Sequence, residues 1–503
     1  MNKINNIVEY IDLDNASSEK VFHELSDILK ISLRTYPPEN NLLAIFFIDF
    51  LKLITHLKLK IREINSDVNL KEFSNSSLQS YPYFGYSDII DGFESQQKTY
   101  GKNTALGFSC NGVFSKKSSY IHCVNFIKKF IKKRTSNILF SGESALSTKQ
   151  HIDVISSHAN LYVLTKPHPW FFLPRPDEQF EYFSSHMESM LSSAFNDDRI
   201  ANNLLNVCMN HAKSSISKLD KSPVLKTNYL VLGSGYELEN RMIASIARRQ
   251  NIPVVNVIHG EGFGIYDEPG FGIFGEQMFS DYLLGYGKAA VESNNDFSFE
   301  QNTSLRYIES NADTLIDRYK SSIISTPHSK NINYYYFPTS FRGSQHRFGP
   351  FQDLPDSLYI DWQKIMVNIF KGKIITKLHP KEKYSSLFSR VKTKKIKKTF
   401  AEIEDEVDIY VFDYIGTAFN QACATNKPVI YFDIGLRNIS RHAMTKIKER
   451  TVYFNLKIDE IPSLTEIEER IFEMKKVNNL TKNYSLTNTQ KIRSQSLLEG
   501  LEI

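Results

Sequence analysis

Lys373–Pro380, KIITKLHP, and Ile409–Ala418, IYVFDYIGTA, are the two stretches on which the reading of this fold turns. Each is a short apolar run that stops at a polar or Gly-bearing junction, the pattern of a strand buried on both faces. The second is followed by a helical pattern over 417–426 and a further apolar run, KPVIYFD (427–433). Strands alternating with helical patterns argue for a parallel sheet. Open parallel sheets bind ligands outside the carboxyl ends of their strands, and both junctions fall at such ends.

The chemistry of the junctions suits a phosphate. His379 and Pro380 close the first run, where an imidazole can donate to a phosphate oxygen, and Lys377 and Lys381 add positive potential. Gly416, Thr417 and Ala418 open a helix, whose free N–H groups and dipole attract anions. Thr417 can cap that helix or bond the phosphate itself, and the first turn, TAFN, carries no acid. Taken singly, these are a capped strand with a surface His and an ordinary N-cap; their order and proximity in the chain make the pair a candidate site. A third loop, FRGSQHRFGPFQD (341–353), follows the apolar run NYYYFPTS. Its Arg342, His346 and Arg347 are either a solvated basic loop or guanidinium forks for a diphosphate or sugar carboxylate. The run KTKKIKK (392–398) reads as a solvated charged edge that could also steer an acidic substrate.

An earlier series has the same rhythm. NILFSG (137–142), ANLYVLTKPHP (159–169), NYLVLGSG (228–235), IPVVNVIHGEG (252–262) and SDYLLGYG (280–287) read as strands, with helical patterns over 177–220 and 238–250. The fourth run ends in His259, Gly260, Glu261 and Gly262, where small residues let a substrate approach the backbone. Glu261 is the candidate general base toward an acceptor hydroxyl, His259 is its rival, and Glu276 and Asp281 are further carboxylates to weigh. GSGYELENR (233–241) lacks the third glycine of a dinucleotide-binding turn and carries acids in its first helical turn, so it reads as scaffold or acceptor-side architecture.

The expected fold is α/β: two Rossmann-type parallel-sheet lobes facing a cleft, with a helical N-terminal extension. The expected divisions are 1–135 for the extension, 136–300 for an acceptor lobe, 331–460 for a nucleotide-donor lobe and 461–503 for a helical tail. Residues 296–330 read as a polar helical linker. A length of 503 residues exceeds one ordinary core and is consistent with this division. The apolar run NLLAIFFIDFLKLI from Asn41 is interrupted by Asp49 and Lys52 and is shorter than the roughly 20 residues of a bilayer span, so it reads as a buried helix.

A net charge of +5 over this length does not mark a nucleic-acid binder. Cys110, Cys123, Cys208 and Cys423 are scattered, which argues against a disulfide framework or structural zinc and for a reducing compartment. No HExxH, no DxD between apolar strands and no Cys/His cluster points to a metal. The N-terminus lacks an apolar signal core, so a cytoplasmic location is expected, with any membrane contact peripheral and at the inner face. NFIKKFIKKR (125–134) is either an amphipathic helix on its own core or a segment for an anionic surface.

The succession VIHGEGFG, SDYLLGYG, PTS, KLHP and VFDYIGTAFNQACATNKPVIYFD, over roughly 225–435, resembles bacterial surface-carbohydrate transferases. More distantly it is similar to GT-B enzymes that use CMP- or CDP-activated donors, among them capsule sialyl- and Kdo-transferases and teichoic-acid glycerophosphotransferases. The resemblance implies that His379, Pro380 and Thr417 hold the nucleotide phosphate and that Glu261, with Gly262, supplies the base. It implies a nucleotide-sugar donor, CMP-linked, as co-substrate without a cofactor, a glycan or glycolipid acceptor, and inversion without a metal. The sequence departs from that pattern in having one acid before Gly262 and one hydroxyl at Thr417. A CDP-polyol phosphotransferase, a UDP-sugar epimerase and a non-catalytic partner in a polysaccharide assembly complex are the alternatives.

Overall fold

The computed structural model describes residues 22–51, 136–141, 159–163, 173–195, 198–216, 224–235, 237–257, 265, 273–285, 305–309, 332–339, 356–378, 393–435, 439–456 and 461–474. They form two sheets of six strands, each wholly parallel.

The first sheet holds β1 (Asn137–Ser141), β2 (Asn160–Val163), β3 (Tyr229–Leu232), β4 (Val254–Val257), β5 (Tyr282–Gly285) and β6 (Arg306–Glu309), in the order β2-β1-β3-β4-β5-β6. This is the flavodoxin-like order, extended by a strand at one edge. Between the strands run α1 (Pro176–Phe195), α2 (Asp198–Ser215) and α3 (Leu238–Arg249). β6 corrects the reading of 296–330 as a helical linker at 306–309; the rest of that stretch, apart from 305, lies outside the described residues. RYIE is a four-residue edge strand with one partner, too short and too polar to carry a strand signal of its own.

The helical stretches over 22–33 and 42–51 pack into the same cluster as α1, α2 and α3, so this part of the 1–135 segment shares the core of the first lobe. In 42–51 every side chain except Asp49 is buried, as expected for a helix that is apolar all round. Each large one contributes about 1.5–3 kcal/mol over exposure. Gln179 of α1 fastens the segment's start: its Oε1 accepts from the Leu42 N–H at 2.7 Å and its amide donates to the Asn40 carbonyl at 2.9 Å.

The second sheet holds β7 (Tyr334–Phe337), β8 (Ile374–Lys377), β9 (Lys394–Ile396), β10 (Ile409–Phe412), β11 (Val429–Asp433) and β12 (Val452–Asn455). Its order is β12-β11-β10-β7-β8-β9. The chain starts in the middle, runs to one edge, then returns to fill the other, which is the Rossmann order. The helices are α4 (Asp356–Ile369), α5 (Phe400–Ile403), α6 (Thr417–Ala424), α7 (Arg441–Arg450) and α8 (Leu464–Met474). Strict alternation splits the core: Tyr334, Tyr336, Ile409 and Val411 face α4 and α8, whereas Tyr335, Phe337, Tyr410 and Phe412 face α5, α6 and α7. The two lobes together make a GT-B-like α/β fold.

The lysine run at 392–398 supplies β9, the edge strand beside β8. Lysines along an exposed edge oppose pairing with a second chain, so a strand can form there without an apolar pattern.

Candidate functional site

In the second sheet the strand order reverses between β7 and β10, which are hydrogen-bonded neighbours. Ligands bind in the crevice beyond the carboxyl ends of the strands at such a point. β7 ends there at Phe337 and leads into Pro338 and Thr339; β10 ends at Phe412 and leads through Asp413 to Gly416 and α6; β8, on the other side of β7, ends at Lys377 and Leu378. The three junctions singled out in the sequence therefore leave one edge of three adjacent strands.

Lys377, Gly416 and Thr417 lie within the described residues; His379, Pro380, Arg342 and Arg347 of the same candidate set lie outside them, as do Glu261 and His259 of the acceptor side. Lys377 belongs to the sheet face that carries α6. Its ammonium stands over the Phe337 ring, 5.8 Å from the centroid; Phe337 stacks on Phe412 at 4.9 Å, and Phe412 meets Phe419 of α6 edge-on at 5.3 Å. This aromatic row joins the lysine to the helix.

Lys377 is only 8% exposed and, among the described residues, makes no hydrogen bond or ion pair. Burial depresses its pKa to about 8, partly offset by the more distant Glu402 carboxylate. Glu402 itself is held low by its bonds to the Thr399 hydroxyl and N–H, which form a capping box on α5. A desolvated cation without a carboxylate is costly on its own and gains from an incoming anion.

α6 begins at a Gly416 N-cap in extended conformation that supplies no side-chain cap, and its first turn has no acid. Among the described residues no side chain caps the amides of that turn, which leaves them for a ligand or water. The far end of the helix is heavily tied. Buried Arg450, the last residue of α7, donates from Nε to the Cys423 carbonyl at 2.8 Å and from Nη2 to the Thr425 and Lys427 carbonyls at 2.8 and 2.9 Å. A guanidinium at a helix C-terminus complements the dipole, so Arg450 satisfies one end of α6 while the other is open.

Asp413 is the site-edge residue that the sequence reading left unassigned, although a carboxylate directly after four buried strand residues is a visible signal. Its Oδ2 accepts from Trp362 Nε1 of α4 at 2.8 Å and from the Tyr336 hydroxyl. It faces the opposite side of the sheet from Lys377 and locks α4 to the ends of β7 and β10. On β11, Asp433 accepts from the Tyr453 hydroxyl at 2.7 Å and the Gly435 N–H at 3.0 Å, where Gly435 has φ +73°. That backbone conformation favours glycine.

In the first lobe the order reverses between β1 and β3, but there the chain fills the carboxyl edge with its own side chains. Ser141 Oγ donates to Asn240 Oδ1 at 2.7 Å, and Asn240 Nδ2 donates to the Ser234 carbonyl at 2.6 Å. Fully buried Arg241 donates to the Ile45 carbonyl at 2.6 Å, to the Gly235 carbonyl at 3.1 Å and to Asp49. A Cβ on Gly235 would stand 1.3 Å from the Gly275 carbonyl oxygen, so this glycine permits a backbone contact. The described residues of GSGYELENR thus pack into the first lobe, and burial raises the pKa of its Glu239.

The rival carboxylates also separate. Asp281 precedes β5, at the amino edge, and accepts from Arg248 and from the Val254 N–H, each at 2.8 Å. It is a structural clamp far along the strand from the carboxyl edge. Glu276 lies fully buried in a π-helical turn, Ile273–Gln277, whose Gly275 touches Gly235.

Ile265 links the lobes. Ile265, in the connection between β4 and that π-helical turn, is buried in the α6–α7 face of the second core, and its carbonyl accepts from the Ser440 N–H at 2.8 Å. Ser440 is the N-cap of α7.

Among the described residues no helix is long and apolar enough to cross a membrane, and no group of three His, Cys, Asp or Glu residues could hold a metal ion. No protein-family model and no curated protein matches the chain. Among solved structures, it is similar to the glycotransferase of kitacinnamycin, at 10% identity, covering 74% of this chain and 96% of that one with a TM-score of 0.32. It is also similar to the wall teichoic acid polymerase TagF in a CDPG soak, at 13% identity, covering 82% of this chain and 92% of that one with a TM-score of 0.31.

Proposed function

We propose that this chain is a glycosyltransferase that moves a sugar from a CMP-linked donor to a glycan or glycolipid acceptor of the bacterial surface. The observation that carries the reading is the conjunction at the reversal point of the second sheet. An open helix start without acids and a lysine that is buried and, among the described residues, unpaired share one face and one edge of a Rossmann-ordered sheet. Such an edge is built to receive the phosphate of a nucleotide.

In this reading the amides of α6, Thr417 and Lys377 hold the donor phosphate with His379, and Arg342 or Arg347 assists. Glu261 takes the proton of the acceptor hydroxyl, whose oxygen attacks the anomeric carbon from the face opposite the phosphate. The bond from that carbon to the phosphate oxygen breaks with inversion, and the nucleotide departs with the electron pair. Charge growing on the phosphate is stabilised by groups already in place, which is where a transferase gains most of its rate. The same phosphate pocket would serve a CDP-polyol phosphotransferase, and product analysis separates a transferred sugar from a transferred polyol phosphate.

The test is calorimetric titration of the full chain with CMP, CDP, UDP and GDP. Cytidine nucleotides are expected to bind, with affinity reduced about 10-fold or more in His379→Ala and in Lys377→Met. Equal affinity in parent and both variants would remove the phosphate assignment.

A further inference from the structure

Val257 belongs to a core cluster of the first lobe, Ile265 to the core of the second and Ile273 to the first again. We infer that Ile265 is a positioning residue that pins this connection to the nucleotide-side lobe, so that the acceptor-side residues on it move with the donor.

Ile265 is 2% exposed, and its cluster contains Phe419 and Ala422 of α6 and Ala443 and Ile447 of α7. The backbone adds a directional bond, from the N–H of Ser440 to the Ile265 carbonyl at 2.8 Å. A buried side chain and a hydrogen bond on one residue fix both depth and orientation.

The place of the pin matters. Ser440 follows β11, whose partner β10 ends at the junction that opens α6. The pin therefore sits at the carboxyl edge of the second sheet, on the face that carries Lys377 and the start of α6. Glu261 is four positions before Ile265, so at most about 14 Å of extended chain separates them. A rigid rotation of one lobe away from the other must either break this contact or carry the connection along.

Two alterations isolate the pin. Ser440 has φ −57°, which suits proline, so Ser440→Pro removes the N–H that bonds Ile265. It also removes the hydroxyl that accepts from the Ala443 N–H, so Ser440→Ala is the control, losing the cap but keeping the inter-lobe bond. Ile265→Ala empties the socket.

The experiment measures spin-label distances between Lys213→Cys on α2 and Lys371→Cys after α4, both exposed, with Cys110 and Cys123 replaced by Ser and buried Cys208 and Cys423 left in place. Ser440→Pro and Ile265→Ala are expected to broaden the distance distribution, and Ser440→Ala to leave it as in the parent. A distribution unchanged in both Ser440→Pro and Ile265→Ala overturns the pin.

The functional consequence rests on the transferase reading and is measured separately. Ser440→Pro is expected to keep the parent affinity for CMP and lose about 10- to 100-fold in kcat for transfer, the scale of an ångström-sized misplacement. An unchanged kcat overturns the positioning role. Failure of the parent to bind any nucleotide would instead sink the transferase reading, while the distance result stands by itself.

Discussion

At the scale of a single residue, Lys377 is a cation held almost out of solvent at the end of β8. Its pKa lies near 8 against about 10.4 for a free lysine, so the folded state disfavours the charged form. Below about pH 8 both folded and unfolded chains carry the proton, and the folded chain bears the full burial penalty. Between about 8 and 10.4 the folded chain sheds the proton first and the penalty fades. Lys377→Met is therefore expected to raise the melting temperature of the ligand-free protein at pH 7 by a few degrees, roughly 2–4 °C per kcal/mol, and by less at pH 10. Calorimetry at the two pH values checks this. For a bound phosphate the sign reverses: affinity is expected to weaken as pH rises through about 8 in the parent and to lose that dependence in the variant. Gly235 offers a test of scaffold, since Gly235→Ala must move the Gly275 peptide and is expected to cost about 3 kcal/mol or more in urea unfolding. Lys377, Gly416 and Thr417 were legible as site candidates because strand-end position and residue type suffice to nominate them. Asp413 was not, because a carboxylate after a strand gains its meaning only from Trp362, 51 positions away in the chain.

Among the elements, α6 has two ends that differ in kind. Arg450 closes its carboxyl terminus with bonds to the Ala422, Cys423 and Thr425 carbonyls, whereas the Gly416 N-cap offers no side chain to its amino terminus. Arg450→Met keeps the apolar stem but strands those acceptors, and is expected to cost about 3 kcal/mol and to speed amide exchange in α6 before the neighbouring strands. Exchange that changes equally in α6 and β10 would argue against a local role. The central strands β7, β8, β10 and β11 were readable because a parallel strand covered on both faces must be apolar along its length. The edges were not. β6 has one partner among the described residues and sets a charged residue at each end of only two apolar ones, and β9 is two lysines and an isoleucine held by β8. Edge strands owe their existence to a neighbour, and a neighbour is not written in their own letters.

At the level of the whole molecule, the N-terminal segment is the part whose composition says least about its use. Its helical periodicity was visible, yet nothing local revealed that 22–51 completes the first lobe, because the contacts are with residues from 173 onward. Removal of residues 1–51 exposes the socket for Ile45, Phe46, Phe47 and Phe50 and leaves Arg241 without Asp49. The truncated chain is expected to lose cooperative unfolding of the first lobe while the second keeps its transition, read by differential scanning calorimetry.

The clasp of Trp362 on Asp413 gives the protein its own optical gauge. The chain has two tryptophans, and Trp170→Phe leaves only the indole that touches the rim of the crevice. Indole emission responds to field and hydration within a few ångströms, so an anion settling beside β10 should register as a shift in intensity or wavelength. Occupancy could then be followed in a cuvette with no label on the ligand, and the order in which donor and acceptor arrive becomes a matter of watching light.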